Sequence, residues 1–341
     1  MKRILIRILQ FTIFLALTVF LMYLVMKGID FKRIVADLKT ANYFWVFLGV
    51  AFGLIAFVAR AYRWNLLIEP LGYRPSVKNS YHAVAIGYIA NMALPRLGEF
   101  SKCVSLNRTN RIPVDSLVGT ILIERAIDMV TLFFLLIVIF VWKFESFGKF
   151  ISDKIFVPLY QKFSAMLLQS TNLLIILVGS LVVLSVLSYI FRKQLAKIHL
   201  LRKIKKIVVG ILGGLKTVYK MQKRWQFFVS TLVIWLCYFF MTYLIFFTIP
   251  ETSHLQPIDG LFILIIGSFG MVIPVQGGFG AFHGMVILGL SLYDIPVDKA
   301  FVYAVLSHES QTLMVIVAGA VSLIKVFSAP PLKNMIITTK T

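Results

Sequence analysis

The sequence predicts an all-α, polytopic membrane protein, and three observations carry that reading. Of its 341 residues 59% are hydrophobic and 14% charged, against about 45–50% and about 25% in soluble domains. Several apolar runs exceed the roughly 18 residues that mark a membrane-spanning helix. The net charge of +21, from 35 Lys+Arg against 14 Asp+Glu, falls in short segments between those runs, where Lys and Arg orient spans toward the cytoplasm. This balance excludes a disordered chain, a coiled coil, a collagen-like fibre and an ordinary soluble enzyme. Nucleic acid is not an expected partner, because a basic patch needs a soluble face to carry it. The two cysteines, Cys103 and Cys237, form neither a disulfide framework nor a metal-ligand spacing.

Lys2, Arg3 and Arg7 precede an apolar run from Ile8 to Met26. That run is longer than the roughly 7–15 residues of a cleavable signal core, so it reads as an uncleaved first span with a cytoplasmic N-terminus. A second span covers 42–60, and Arg60, Arg63, Arg74 and Lys78 after it mark a cytoplasmic loop. Arg60 and Arg63 read as interface anchors. The next apolar segment, 80–94, reaches only about 21 Å as a helix, against a hydrocarbon core of about 30 Å. It then breaks at Pro95-Arg96-Leu97-Gly98-Glu99-Phe100.

Lys102, Arg108 and Arg111 follow on the side already assigned to the cytoplasm, so residues 80–101 read as a re-entrant hairpin. Spans follow at 117–141 and 172–191. From Arg192 to Arg224 there are eleven Lys/Arg and no acid, which places the loop 192–226 in the cytoplasm. Its stretch 198–209 reads as a basic amphipathic helix on the inner leaflet, or as an ordinary positive-inside loop.

A span at 227–249 leads to Glu251 and Asp259 on the outer side. The apolar region 258–293 is broken at Pro274-Val275-Gln276-Gly277-Gly278-Phe279-Gly280 and reads as a second re-entrant hairpin. The last span, 300–326, returns to a cytoplasmic tail with Lys325, Lys333 and Lys340. The expected architecture is about six full spans plus two hairpins, in one domain over residues 1–341. Both breaks have the pattern P-x-x-G-x-F, and charge places them on opposite sides. An inverted repeat of the transporter type would give this; chance similarity of two Pro/Gly breaks is the alternative.

Ionisable groups inside spans cost roughly 2.5–3.5 kcal/mol each on insertion scales and mark cavities or partners. Glu124, Arg125 and Asp128 lie within five residues of one span, so they are candidate translocation-site residues, with a self-neutralising packing pair as the alternative. His308 and Glu309 lie in the last span and suit proton coupling. A carboxylate satisfied by a distant Arg is the alternative there. Arg96 is the candidate for a lipid phosphate, which a guanidinium binds through two hydrogen bonds, with Glu99 beside it. The amides of Gly277, Gly278 and Gly280 are a candidate anion nest at a half-helix start, with turn formation or close helix contact as the alternative, and Gln276 beside them is a further candidate site residue. Asn91 and His283 read as capping or packing residues.

No metal or cofactor is expected. Position 312 is Thr, which breaks H-E-x-x-H, and no Walker A loop, dinucleotide fingerprint or G-x-S-x-G elbow occurs.

Asn91–Glu99, then Glu124-Arg125-Ala126-Ile127-Asp128, then Pro274–Gly280, in that order, resemble the membrane part of lysylphosphatidylglycerol synthases, over roughly residues 10–325. This chain has Val275 and Gln276 where that family often has a second Pro and Gly. The resemblance implies a flippase-like domain that moves anionic or aminoacylated phosphatidylglycerol across the cytoplasmic membrane. It also implies a separate synthase or glycosyltransferase as partner, since 341 residues leave no room for the aminoacyl-transferase domain. The expected role is therefore lipid translocation rather than catalysis. The alternatives are an intramembrane lipid-modifying transferase, with Glu124 as base, and a membrane subunit that anchors an enzyme.

Overall fold

A computed structural model describes residues 2–94, 97–143, 221–273 and 275–328, with isolated positions at 157, 161, 213–214 and 217–219. These residues form α-helices and short 3₁₀ turns, with no strand among them. The helices are α1 (Lys2–Met26), α2 (Phe31–Thr40), α3 (Tyr43–Ile68), α4 (Val77–Ala93), α5 (Leu97–Asn110), α6 (Val114–Trp142), α7 (Arg224–Tyr243), α8 (Pro257–Val272), α9 (Ala281–Leu290) and α10 (Val297–Ser328). The chain divides into two compact units, residues 1–125 with 217–341, and residues 126–216, and the boundary falls within α6. In the second unit the described residues are chiefly the later part of α6, whose Phe133, Phe134 and Ile137 are exposed. The first unit carries the rest.

Four of the described helices are long and apolar enough to cross a membrane, and the number is five if α1 and α2, which are bent by 87°, count together as one broken span. The expected sixth, 172–191, lies outside the described residues, as do the amphipathic stretch 198–209 and the tail after Ser328. Among the described residues the same order of elements occurs twice. A long helix, a helical pair and a long helix (α3, α4–α5, α6) are followed by the same series (α7, α8–α9, α10).

The first hairpin is longer than its apolar segment suggested, 77–110 rather than 80–101, because α5 is polar and continues to Asn110. Hydropathy therefore saw only the α4 arm. Helix ends follow local chemistry. Asn42 and Ser76 accept from backbone amides at the starts of α3 and α4, and the Asp259 carboxylate accepts from Gln256 N at the start of α8. These contacts satisfy amides that have no partner inside a first turn.

Charged ties close the two ends. At one, Lys299 meets Asp37 at 2.8 Å and Glu251 at 2.9 Å. At the other, Lys223 lies 2.7 Å and Arg74 3.2 Å from Glu69, while Arg108 Nε donates to the Val326 carbonyl at 3.1 Å.

The hairpin arms touch where side chains are absent. A Cβ on Gly98 would strike the Gly87 carbonyl and the Asn91 side chain, and the Asn91 Oδ1 accepts from Gly98 N at 2.7 Å. Gly98→Ala is expected to push α4 and α5 apart and cost about 1–3 kcal/mol. A thermal melt of the purified protein in detergent checks this, and an unchanged midpoint would refute it.

The second break is different. Gly277, Gly278 and Gly280 have φ of 59°, 81° and 77°, where a Cβ is strained. The glycines of the shared P-x-x-G-x-F pattern therefore do unlike work: Gly98 lies in a helix and allows contact, whereas Gly277 makes a left-handed turn. Helix α1 closes over this break, where Thr18 Oγ1 accepts from Gln276 N at 3.2 Å.

Candidate functional site

Two groups of ionisable side chains lie inside the first unit, beside one cleft. The first is built on Glu124 of α6, which is 1% exposed. Lys102 of α5 donates to its Oε2 at 2.7 Å. Arg63 and Arg60 of α3 approach Oε1 at 3.5 and 3.6 Å. Each cation has further support. Arg60 donates to the Tyr88 hydroxyl at 2.9 Å, and that oxygen lies 3.3 Å from Tyr238 OH. Arg63 donates to Thr231 Oγ1 at 3.3 Å. Lys102 Nζ sits 4.0 Å from the centre of the Trp64 ring, and Trp64 is fixed by its indole N–H to Thr120 Oγ1 at 2.8 Å. Desolvated ions persist only with this kind of multiple pairing.

This corrects the reading of three cations. Arg60 and Arg63 are not interface anchors, and Lys102 is not a loop charge; all three are buried around one carboxylate. Arg60 and Arg63 are three apart on the face of α3 that also buries Phe57 and Trp64. That i,i+3 spacing on an apolar face was the available signal. Beside the group, Arg125 reaches Glu99 at 3.4 Å, and both side chains are partly exposed. Asp128 lies in the second unit and is half-buried. Arg96, the expected phosphate ligand, lies outside the described residues.

The second group joins α9, α10 and the Gly277–Gly280 turn. Glu309 Oε1 is 3.2 Å from His308 Nδ1 and 3.3 Å from His283 Nε2. His308 Nε2 lies 2.8 Å from the Gly277 carbonyl, so the candidate residues Gly277, His308 and Glu309 do come together. The aromatic rings of Phe279 and Phe282 cover His308. His283 does more than pack or cap. It is fully buried and faces Glu309, a role that a position 26 residues upstream gave no spacing to reveal. Gly278 lies within that turn and Gln276 directly before it, and of the two roles expected for Asn91, capping or packing, its Oδ1 takes the first by accepting from Gly98 N near the start of α5.

A cleft of about 850 Å³ runs along α10 between α3 and α4. Its α10 wall extends from Val305 to Lys325, about 30 Å at 1.5 Å per residue, which is the depth of a hydrocarbon core. Val46, Phe47, Leu54, Leu313 and Val317 make it apolar. Glu309 and Ser310 interrupt it toward one end, and His82, Ser322 and Lys325 toward the other. Stacking of Phe57 on Tyr88 at 4.7 Å, with Phe57 packed on Met314 of the cleft wall, links the cleft to the Glu124 group.

An all-helical, multi-pass membrane protein with ionisable clusters inside its apolar layer is what this fold and site define. The chain matches the lysylphosphatidylglycerol synthase TM region family over residues 8–319. It belongs to that family, and is thus a membrane protein related to lipid handling. It is similar to a UPF0104 membrane protein of Methanocaldococcus jannaschii, 23% identical over 329 residues, covering 94% of this chain and 96% of that protein. No solved structure matches it.

Proposed function

We propose that the protein moves a phospholipid with an anionic or aminoacylated head group between the leaflets of the cytoplasmic membrane. One observation carries this reading: the cleft along α10 is as deep as a bilayer core, apolar enough for acyl chains, and set with polar groups at separate depths. A head group crossing hydrocarbon alone would lose its hydration. Lys325, Ser322 and His82 toward one end, and Ser310 and Glu309 toward the other, supply replacement hydrogen bonds along the way. The Glu124 group adds buried guanidinium and ammonium donors on the far side of Phe57 and Tyr88, a donor type suited to phosphate. In this reading the two helical pairs are re-entrant, and the termini face the cytoplasm with the basic segment 192–226. A separate synthase or glycosyltransferase supplies the lipid.

The test is leaflet-resolved transfer of labelled phosphatidylglycerol and lysylphosphatidylglycerol in vesicles containing the purified protein. Transfer faster than in empty vesicles, by about tenfold or more (about 1.4 kcal/mol of barrier), is the expected result. Equal rates would overturn the reading, and a covalently altered lipid would instead indicate a transferase.

A further inference from the structure

We infer that His283, His308 and Glu309 form a binding site for one first-row divalent metal ion, with Zn²⁺ the best match to the donor set. One donor atom from each of the three residues lies within 4.8 Å of the other two. The His308 ring is oriented by the main chain. The Gly277 carbonyl can only accept, so Nε2 at 2.8 Å carries the hydrogen. In the neutral ring this leaves the Nδ1 lone pair directed at Glu309 Oε1, 3.2 Å away. Two acceptors so placed need a cation between them.

A proton would satisfy that contact alone. It leaves His283, which has no exposed surface and no well-formed hydrogen bond at either ring nitrogen, although its Nε2 points at the same carboxylate oxygen from 3.3 Å. A metal ion serves both histidines at once. Donors about 2.0–2.1 Å from a tetrahedral Zn²⁺ stand about 3.3–3.4 Å apart, close to the 3.2 and 3.3 Å of the two His–Glu contacts.

The surroundings also suit a metal. A carbonyl holding the distal N–H of a ligating histidine is the usual outer-shell device for fixing its tautomer. Phe279, Phe282 and Phe301 pack on the two imidazoles and hold their ring planes. Two imidazoles and one carboxylate favour Zn²⁺ and its transition-metal neighbours over Mg²⁺ or Ca²⁺. Three protein donors leave a fourth position, and Glu309 borders the cleft, so the ion is reached from there.

The experiment uses the untagged full-length protein in detergent, stripped with a chelator and titrated with Zn²⁺ or Co²⁺ alone. Metal analysis is expected to give one ion per chain, and Co²⁺ is expected to give the intense visible bands of a four-coordinate site. His283→Ala, His308→Ala and Glu309→Gln should each weaken binding by about a hundredfold, the upper end of what outer-shell changes alone cost. X-ray absorption on the wild type, which needs no variant to fold, should show imidazole scattering around the ion. Failure to bind a stoichiometric ion, or a wild-type absorption spectrum lacking imidazole, would overturn the site. So would binding that all three variants retain. Because no lipid enters this measurement, its failure is separate from failure of the transport reading.

Discussion

Replacing Glu124 with Gln is expected to destabilise the protein by roughly 3–5 kcal/mol, the cost of leaving buried charges without their counter-ion. The carboxylate is 1% exposed and is met by Lys102, Arg63 and Arg60 from two other helices. Gln keeps the shape and one acceptor but removes the charge toward which all three cations point. The loss should appear as a large drop in melting temperature in detergent, with much less monodisperse protein after a heat step. Adding Lys102→Met to Glu124→Gln should recover part of it, because the ammonium at 2.7 Å is then no longer stranded. Arg60 keeps Tyr88 and Arg63 keeps Thr231 in that double variant. A Glu124→Gln protein that melts with the wild type would show that the carboxylate is not holding α3, α5 and α6 together.

Under the proposed function, filling the cleft should stop transport without unfolding the protein. Leu313 and Val317 are one turn apart on α10, line the cleft, and are 62% and 55% exposed. Trp at either position adds volume where little is packed, so stability should change by only about 0.5 kcal/mol. Transfer along the proposed path should then fall by about tenfold or more, because the ring occupies space that the acyl chains would need. Parallel melts and vesicle assays separate the two effects. Transfer that survives Leu313→Trp and Val317→Trp together would place the lipid path elsewhere on the protein.

Much of the fold was legible along the chain because membrane insertion is read segment by segment. Apolar runs marked α1, α3, α6, α7 and α10, the Pro/Gly breaks marked both helical pairs, and Asn91 was recognisable as a cap. The α5 arm was not visible as part of its hairpin: its polar residues pack on α4 and on the Glu124 group, which hydropathy does not register. Within the candidate site, Glu124, His308 and Glu309 stood out because an ionisable residue in an apolar run is costly by itself. Their partners did not. Arg60, Arg63 and Lys102 lie where the positive-inside rule already explains a cation, and His283 alone on a short apolar helix has an ordinary packing explanation.

The sequence by itself determined that this chain is helical, that it crosses a membrane several times and where its helices break. Those properties follow from transfer free energies and backbone constraints that act locally, over a turn or a span. Only the tertiary structure decided which charges meet. The Glu124 group draws on α3, α5 and α6, with Tyr88 and Tyr238 from α4 and α7, and the His283–His308–Glu309 group on two helices and a glycine turn. Such groups exist because a desolvated charge must find a partner wherever the packing supplies one, and that search depends on proximity in space rather than spacing along the chain.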